Sequence, residues 1–462
     1  MTSGNPSDAL AALWRLADLP PAALSEAHLT GADPVWPSSF AVGAAAQSTI
    51  AAAALAACEL GHQRGQPRQA VHVDIAHATA ECLGWFRIDG RVPDLWDPFS
   101  GLYRTRDGWV RIHANFAHHR EGALRLLGLN PATAERADAE RALLGWDALA
   151  YEQASAEAGL VASALRSFAQ WDATEAARAI AAQPLFTFTR IGEADPLPLP
   201  PLGAEQRSLA GVRVLDLTRI LAGPVGGRAL AAYGADVMLV NSPHLPNIDA
   251  IADTSRGKRS VHVDLRSPEG RATMDALVQG AQVFVQGYRP GALAGLGYSA
   301  EALAAARPGM VCVSLSAYGT QGPWAGRRGF DSLVQTATGF NLAAAAAAGT
   351  PDKPRALPMQ ILDEATGYLM AFGAAAALRR QQREGGSWHV QVSLVQTGHW
   401  LRSLGCVAGG FDVKPPSLEP WIESHASGFG LLDGLRHSAQ LARTPAGWDR
   451  PSQPPGTDAP RW

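Results

Sequence analysis

The sequence predicts an α/β protein in which an open, mostly parallel Rossmann-like sheet with helices on both faces is joined to a smaller α+β domain. The first observation is an alternation of apolar strands and helices from residue 211 onward. Gly211–Leu217 and Ala235–Val240 predict strands, and Gly226–Tyr233 predicts the helix between them. Such a βαβ unit requires parallel pairing. Three more strands are expected at 261–265, 283–285 and 310–315, with helices at 269–278 and 300–305.

The second observation is a change of character before this region. Residues 101–113 predict a β-hairpin around Asp107-Gly108, which is a strong hairpin signal. Helices are expected at 120–127, 139–158 and 160–168, and the Pro-rich run 196–202 predicts a stiff linker. A small α+β domain at 91–200 is therefore expected, followed by the large α/β domain at 205–400.

The third observation is a candidate internal repeat. A helix of small residues at 41–62 precedes a strand at 70–75, and a shift of 319 residues places Val71–Ile75 on Val390–Leu394. Alanine-rich helices align with many sequences, but the matching strand favours a true repeat. The same shift places Ala44 on Asp363, so the first copy lacks the acid. We expect residues 1–90 to be a degenerate copy that packs with the large domain.

Asp363 lies where a helix of small residues is expected to begin, within Leu357–Leu378. A carboxylate at this position is typical of a helix N-cap, because it accepts backbone N–H bonds. A capping role is the simplest interpretation of Asp363 taken alone. Its sequence neighbourhood determines whether it has a further role.

Composition excludes several classes of function. A formal net charge of −3 argues against a nucleic-acid partner held by bulk charge. The four cysteines form no C-x-x-C pair, which indicates neither a zinc site nor a disulfide framework and is consistent with a cytoplasmic location. Polar residues interrupt the apolar stretch 43–58, so no membrane span is expected, and the N-terminus does not resemble a signal peptide.

Motif searches exclude further chemistry. No phosphate loop, no G-x-G-x-x-G after the first strand of the α/β region and no G-x-S-x-G elbow is present. His113, His118 and His119 lack a carboxylate or cysteine that would complete a metal site, and we expect the pair to cap the following helix. The basic loop 255–260 is either a solvated turn or an electropositive lip for a phosphate-bearing ligand.

Residues 209–400 resemble the family III CoA-transferases, also called the CaiB/BaiF family. The resemblance depends on several short stretches that occur in the family's order and at about its spacing. These are Leu209–Thr218, Leu221–Pro224, Gly234–Val237, Arg256–Ser260, Asp264–Arg271, Tyr288–Gly291, Ser314–Gly319, Gly329–Gln335, and Asp363 followed by Gly367.

The resemblance implies that Asp363 is a nucleophile that attacks an acyl-CoA thioester. It also implies that Leu221 and Ala222 lie near the thioester and that Gly287, Tyr288 and Arg328 line the CoA groove. The implied substrates are an acyl-CoA donor and a carboxylate acceptor. No metal and no permanently bound cofactor are implied. The implied assembly is a homodimer.

Departures from the family pattern leave alternatives open. Gln286-Gly287-Tyr288 replaces the usual Glu-Asn-Phe, and Gly295 stands where a basic residue is common. Phe330 occupies the position of a histidine used by the racemase branch, which makes an acyl-CoA racemase or isomerase the less favoured reading. The degenerate first copy leaves a non-catalytic CoA-binding protein as a third possibility. We expect the tail at 401–462 to return to the small domain.

Overall fold

The computed structural model describes residues 4–462. Residues 1–3, where we expected no signal peptide to begin, lie outside the described part. The first half of the chain contains eight helices and seven strands among the described residues. They are α1 (Pro6–Leu16), β1 (Ala27–Thr30), α2 (Val42–Gln63), β2 (Val71–Asp74), α3 (Ile75–Glu81), β3 (Phe86–Ile88), β4 (Gly101–Arg104), β5 (Trp109–Ile112), α4 (Ala117–Leu126), α5 (Arg136–Leu143), α6 (Ala148–Glu157), β6 (Ala162–Ala164), α7 (Phe168–Asp172), α8 (Glu175–Ala181) and β7 (Phe186–Gly192).

The second half alternates more regularly. It contains β8 (Arg213–Leu217), α9 (Ala222–Ala232), β9 (Asp236–Asn241), α10 (Ile251–Thr254), β10 (Lys258–His262), α11 (Pro268–Gly280), β11 (Val283–Gln286), α12 (Ala300–Ala306), β12 (Val311–Ser316), α13 (Asp331–Thr338), α14 (Phe340–Ala347), α15 (Ile361–Glu384), β13 (Ser387–Ser393), α16 (Leu394–Ser403), β14 (Ile422–Ser427), β15 (Gly430–Leu435) and β16 (Ala439–Leu441).

The main sheet confirms the predicted fold class. Its seven strands lie in the order β10-β9-β8-β11-β12-β13-β7, and every pair is parallel except β13 with β7. Its central strands are apolar runs because helices cover both faces of a parallel sheet. The strand expected at 261–265 begins earlier, at Lys258, because the ladder pairs Lys258–His262 with Val237–Asn241.

A smaller α+β unit lies between β3 and the linker. The predicted hairpin forms β4 and β5, and β6 adds a third strand, around a core that includes Tyr103, Leu143 and Tyr151. The helix expected at 160–168 is wrong, because residues 162–164 pair with Val110–Ile112 instead. The helix expected at 139–158 is two helices, α5 and α6. Strand β7, within the predicted small domain, joins the main sheet.

We expected the tail at 401–462 to return to the small domain; at its start Arg402 donates to Asp172 of that domain, but the strands of the tail pair elsewhere. Its strands β14 and β15 pair with β3, and β16 pairs with β2, which also pairs with β1. Further along the tail, the indole Nε1 of Trp448 donates to Arg228 O, and that of Trp462 donates to Leu277 O. The tail therefore covers the N-terminal segment and the large domain.

Helix α15 packs against both α2 and α9. A Cβ on Gly367 of α15 would lie 2.5 Å from Ala222 O, and one on Gly226 of α9 would lie 2.9 Å from Gly367 O. Glycine allows the two helix backbones to approach this closely. Helices α2 and α15 are long and apolar enough to cross a membrane, but their apolar windows are fully buried inside the protein.

Candidate active site

Asp363 lies in the first turn of α15 and is not its N-cap. The helix begins at Ile361, and the carboxylate of Asp331 supplies the cap. Asp331 Oδ2 accepts hydrogen bonds from Leu362 N at 2.8 Å and from Asp363 N at 3.0 Å. Because Asp331 satisfies these N–H groups, the Asp363 side chain is available for another role.

The segment Gly329–Gln335 therefore positions the loop that carries Asp363. Gln335 Nε2 donates to Asp331 Oδ1, and Gln335 Oε1 accepts from Leu357 N at 3.0 Å. Both side chains are fully buried. A buried polar network in which each member is satisfied fixes a single geometry, which here is that of the loop before α15.

All six residues expected to form the site line one cavity of about 420 Å³: Asp363, Leu221, Ala222, Gly287, Tyr288 and Arg328. The cavity opens at the carboxyl ends of β8, β11 and β12, where ligands bind in open α/β sheets. The small domain contributes the facing wall through Phe116, His118 and His119. Residues from both domains thus surround Asp363, which is 8% exposed.

The loop between β8 and α9 brings Leu221 and Ala222 to the cavity in a strained conformation. Ile220 has φ 78°, which is costly for a β-branched residue. Helix α9 begins at Ala222, so the N–H groups of Ala222 and Gly223 have no intrahelical acceptor, and Pro224 has no N–H. These two amides provide hydrogen-bond donors beside the cavity.

Lys258 holds the start of α9 against β8 through two hydrogen bonds. Its Nζ donates to Asp216 Oδ2 and to Pro224 O, both at 2.8 Å, and its side chain is fully buried. Arg256 is equally buried and pairs with Asp253. The basic loop 255–260 is therefore neither a solvated turn nor an electropositive lip. It is a buried ion-pair region that supports the site.

Cations line the outer part of the cavity. Arg219, Arg289, Arg327 and Arg328 all contribute to its wall. Arg328 Nη1 donates to His119 Nε2 at 3.1 Å. Burial, the His118 ring and the two nearby arginines lower the pKa of His119 to about 4, so this ring is neutral near pH 7 and can accept that bond. Arg219 Nε and His119 Nδ1 are buried without a partner among residues 4–462.

The pKa of the Asp363 carboxyl is raised well above its ordinary value. Burial is the main cause, and the negative charges of Asp331 and Glu364 add to it. Burial also raises the pKa of Asp331 to about 6, although its hydrogen bonds oppose this shift. A carboxylate of raised basicity is a stronger nucleophile once it is ionised.

Sequence reasoning missed or misinterpreted four residues of this site. Asp331 was recognised only as part of a family stretch, because its partners lie about thirty residues away in the chain. Arg219 lies two residues beyond the end of β8, the first strand of the large domain, and this position was the available signal. His118 and His119 were noticed but interpreted as helix caps, whereas His119 faces the cavity and no side chain caps α4.

Phe330 has a defined packing role. Its ring stacks on that of His113, with centroids 3.9 Å apart, and so joins the small domain to the loop before α13. Burial lowers the pKa of His113 to about 3, which keeps this ring neutral.

A second cavity, of about 460 Å³, shares Arg289, Pro290, Leu315 and Ser316 with the first. It extends over the opposite face of the sheet, along residues such as His389 and Thr189. Asp363 does not line it.

Part of the chain matches a known protein family. Residues 209–409 match the family described as CoA-transferase family III. The match includes β8 to α16, and therefore Asp363 and most of the cavity wall. The small-domain residues that face Asp363 lie outside it.

Two curated relatives and one solved structure show the extent of the similarity. An acyl-CoA transferase of Gibberella moniliformis is 32% identical over 64% of this chain and 55% of its own length. A succinate–glutarate CoA-transferase of Agrobacterium fabrum is 33% identical over 40% and 51%. A CAIB/BAIF family protein from Brucella suis is 27% identical over 49% of this chain and 65% of that one, with a TM-score of 0.38. The chain spans about half the length of these curated relatives.

Proposed function

We propose that this protein transfers coenzyme A between carboxylic acids and that Asp363 is the nucleophile. The observation that supports this proposal best is the cavity itself. It combines a buried carboxylate at a helix N-terminus, free backbone amides at the start of α9 and several arginines along its outer wall. The match of residues 209–409 to the family described as CoA-transferase family III supports the same reaction.

In the proposed reaction, an oxygen of ionised Asp363 attacks the thioester carbonyl carbon, and the C–S bond breaks to give a mixed anhydride and CoA thiolate. The thiolate then attacks the Asp363 carboxyl carbon and releases the donor acid, leaving an aspartyl-CoA thioester. The acceptor carboxylate attacks the carbonyl carbon of this thioester, and the C–S bond breaks to give a second mixed anhydride and CoA thiolate. The thiolate then attacks the acceptor acyl carbon, which gives the new acyl-CoA and frees the Asp363 carboxylate. The N–H groups of Ala222 and Gly223 would stabilise the oxyanions.

The arginines are suited to the phosphates of CoA. Guanidinium groups form bidentate, charge-assisted hydrogen bonds with phosphate oxygens. Arg219 has an unpaired buried Nε, and Arg328 lies on the same wall. No permanently bound cofactor or metal enters this proposal, and CoA acts only as a substrate. A cytoplasmic location stays a prediction.

The experiment is covalent capture. The protein is incubated with a panel of acyl-CoAs, including succinyl-CoA and glutaryl-CoA, and treated with hydroxylamine, and the adduct is mapped by mass spectrometry. A hydroxamate at Asp363 is expected. The Asp363→Asn variant should give no adduct while its melting temperature changes little, because asparagine has nearly the same size. An adduct at another residue, or none with any donor, would contradict the proposal.

An acyl-CoA racemase is the second candidate, and one observation favours keeping it. His119 lines the same cavity as Asp363, and its ring is neutral, so the two groups could act as an acid/base pair. Exchange of the α-hydrogen of a branched acyl-CoA with deuterated water, without an adduct at Asp363, would support this reaction. A non-catalytic protein would bind CoA but show neither exchange nor adduct.

A further inference from the structure

We infer that this single chain contains two copies of one folding unit and that together they complete one active site without a second chain. The first observation is the position of the helices. Helix α2 begins at Val42 and α15 at Ile361, an offset of 319 residues. Helices α3 and α16 begin at Ile75 and Leu394, with the same offset.

The caps of these helices correspond as well. Asp33 Oδ2 accepts from Ala44 N at 2.8 Å, as Asp331 Oδ2 accepts from Asp363 N at 3.0 Å. Ala44 and Asp363 are equivalent under the same offset. The strand-to-helix junctions also match, because Asp74 caps α3 and Ser393 caps α16. A chance alignment of alanine-rich helices does not explain why Asp33 and Asp331, which both lie outside α2 and α15, accept hydrogen bonds from the first turns of these helices.

The sheets agree in order, direction and register. In the order β1-β2-β16, the first pair is parallel and the second antiparallel, as in β12-β13-β7. Val73 pairs with Ala439, and the equivalent Val392 pairs with Phe186. Two residues earlier in β2 and β13, the partners are Leu441 and Phe188.

The last strand of each copy pairs with the sheet of the other copy. Strand β7 follows the first copy and the small domain along the chain, yet it pairs with β13 of the second copy. Strand β16 follows the second copy, yet it pairs with β2 of the first. Helices α2 and α15 pack along each other between the two sheets. The copies therefore form an intramolecular pair with exchanged edge strands.

Only one active site results from this pair. Ala44, the counterpart of Asp363, is 1% exposed and packs in a small apolar cluster with Ala41 and Val407. The first copy instead contributes Phe116 and His119, on its small domain, to the cavity of the second copy. The chain thus supplies both walls of the site in cis, and the homodimer that the resemblance implies is not needed.

A nicking experiment tests this without reference to the proposed reaction. A protease site is inserted between residues 203 and 206, an exposed stretch directly after the linker, and the folded full chain is cleaved there. Light scattering should give the mass of one chain, 48.6 kDa, before and after cleavage, because the exchanged strands hold the halves together. A two-chain mass, or separation of the halves under native conditions, would overturn the inference.

Complementation tests where the site is completed, and it rests on the proposed function. Asp363→Asn and His119→Trp variants, each inactive by design, are co-expressed with different tags and co-purified. A site completed in cis gives no recovery of activity. A site shared between chains would restore about one half of the wild-type activity in the purified mixed dimers, because one of their two sites would be intact, and this would overturn the inference. If the wild-type protein has no transferase activity, the proposed function fails while the nicking result still decides the assembly.

Discussion

Replacing Asp331 with asparagine should change both the stability of the protein and the pH dependence of Asp363. Asparagine keeps one oxygen that can accept from Leu362 N and Asp363 N, but its NH₂ group then faces the donor Nε2 of Gln335. One buried hydrogen bond is lost, which should lower the free energy of unfolding by about 1–3 kcal/mol. Urea unfolding at pH 7 measures this loss.

The same change removes a negative charge that raises the pKa of Asp363. The acid limb of the activity profile, where Asp363 ionises, should therefore move to lower pH. Asp33→Asn is the matched control, because Asp33 has the same capping role on α2 but lies in the copy without the acid. This control should lose stability without moving the limb. An Asp331→Asn enzyme whose acid limb is unchanged would refute the electrostatic argument.

Three further predictions concern the surroundings of Asp363. Gly367→Ala places a Cβ about 2.5 Å from Ala222 O and should lower the free energy of unfolding by about 1–3 kcal/mol, measured in urea. Burial raises the pKa of Glu364 to about 8, so between pH 4.5 and 8 the folded protein holds a proton that the unfolded chain releases. The free energy of unfolding should therefore fall as the pH rises through this range, by about 1.4 kcal/mol per unit of pKa difference. Glu364→Gln should remove this contribution to the slope. Ile220→Gly should raise the melting temperature by relieving a positive φ, and its kcat should fall if that conformation positions Leu221.

The sheet could be predicted from the sequence because its strands are short apolar runs between helices with clear amphipathic patterns. Strand β6 was missed because Ala162–Ala164 has high helix propensity, and its pairing with β5 is a tertiary effect that overrides propensity. The position of the tail also depended on pairing between distant segments. No local pattern indicates that Ala439–Leu441 pairs with Val71–Val73.

The candidate site shows the same limit. All six residues expected from the family resemblance line one cavity. They could be predicted because each resembling stretch ends a strand or begins a helix at the same edge of the sheet. The N-cap assignment of Asp363 was wrong because acids favour both the cap and the first turn of a helix, and sequence alone does not separate the two positions. The actual cap, Asp331, is distant in the chain and could be identified only from the fold.

The comparison of the two copies also yields a prediction for the first. If capping by an aspartate were sufficient to make a site, Ala44→Asp would create a second nucleophile beside Asp33. The structure indicates the opposite, because Ala44 is 1% exposed and packs against Ala41 and Val407. A carboxyl group buried there without a partner should cost roughly 2–7 kcal/mol in stability, as measured by urea unfolding.

The nearby charge of Asp33 should add to this cost. We expect no hydroxamate at residue 44 after incubation with acyl-CoA, and an unchanged amount at Asp363 in the fraction that remains folded. Ala44→Asn, which matches aspartate in size and is uncharged, is the control for volume. An adduct at residue 44 would show that the first copy can still admit a thioester, and that burial of the position does not explain why only one copy carries the acid.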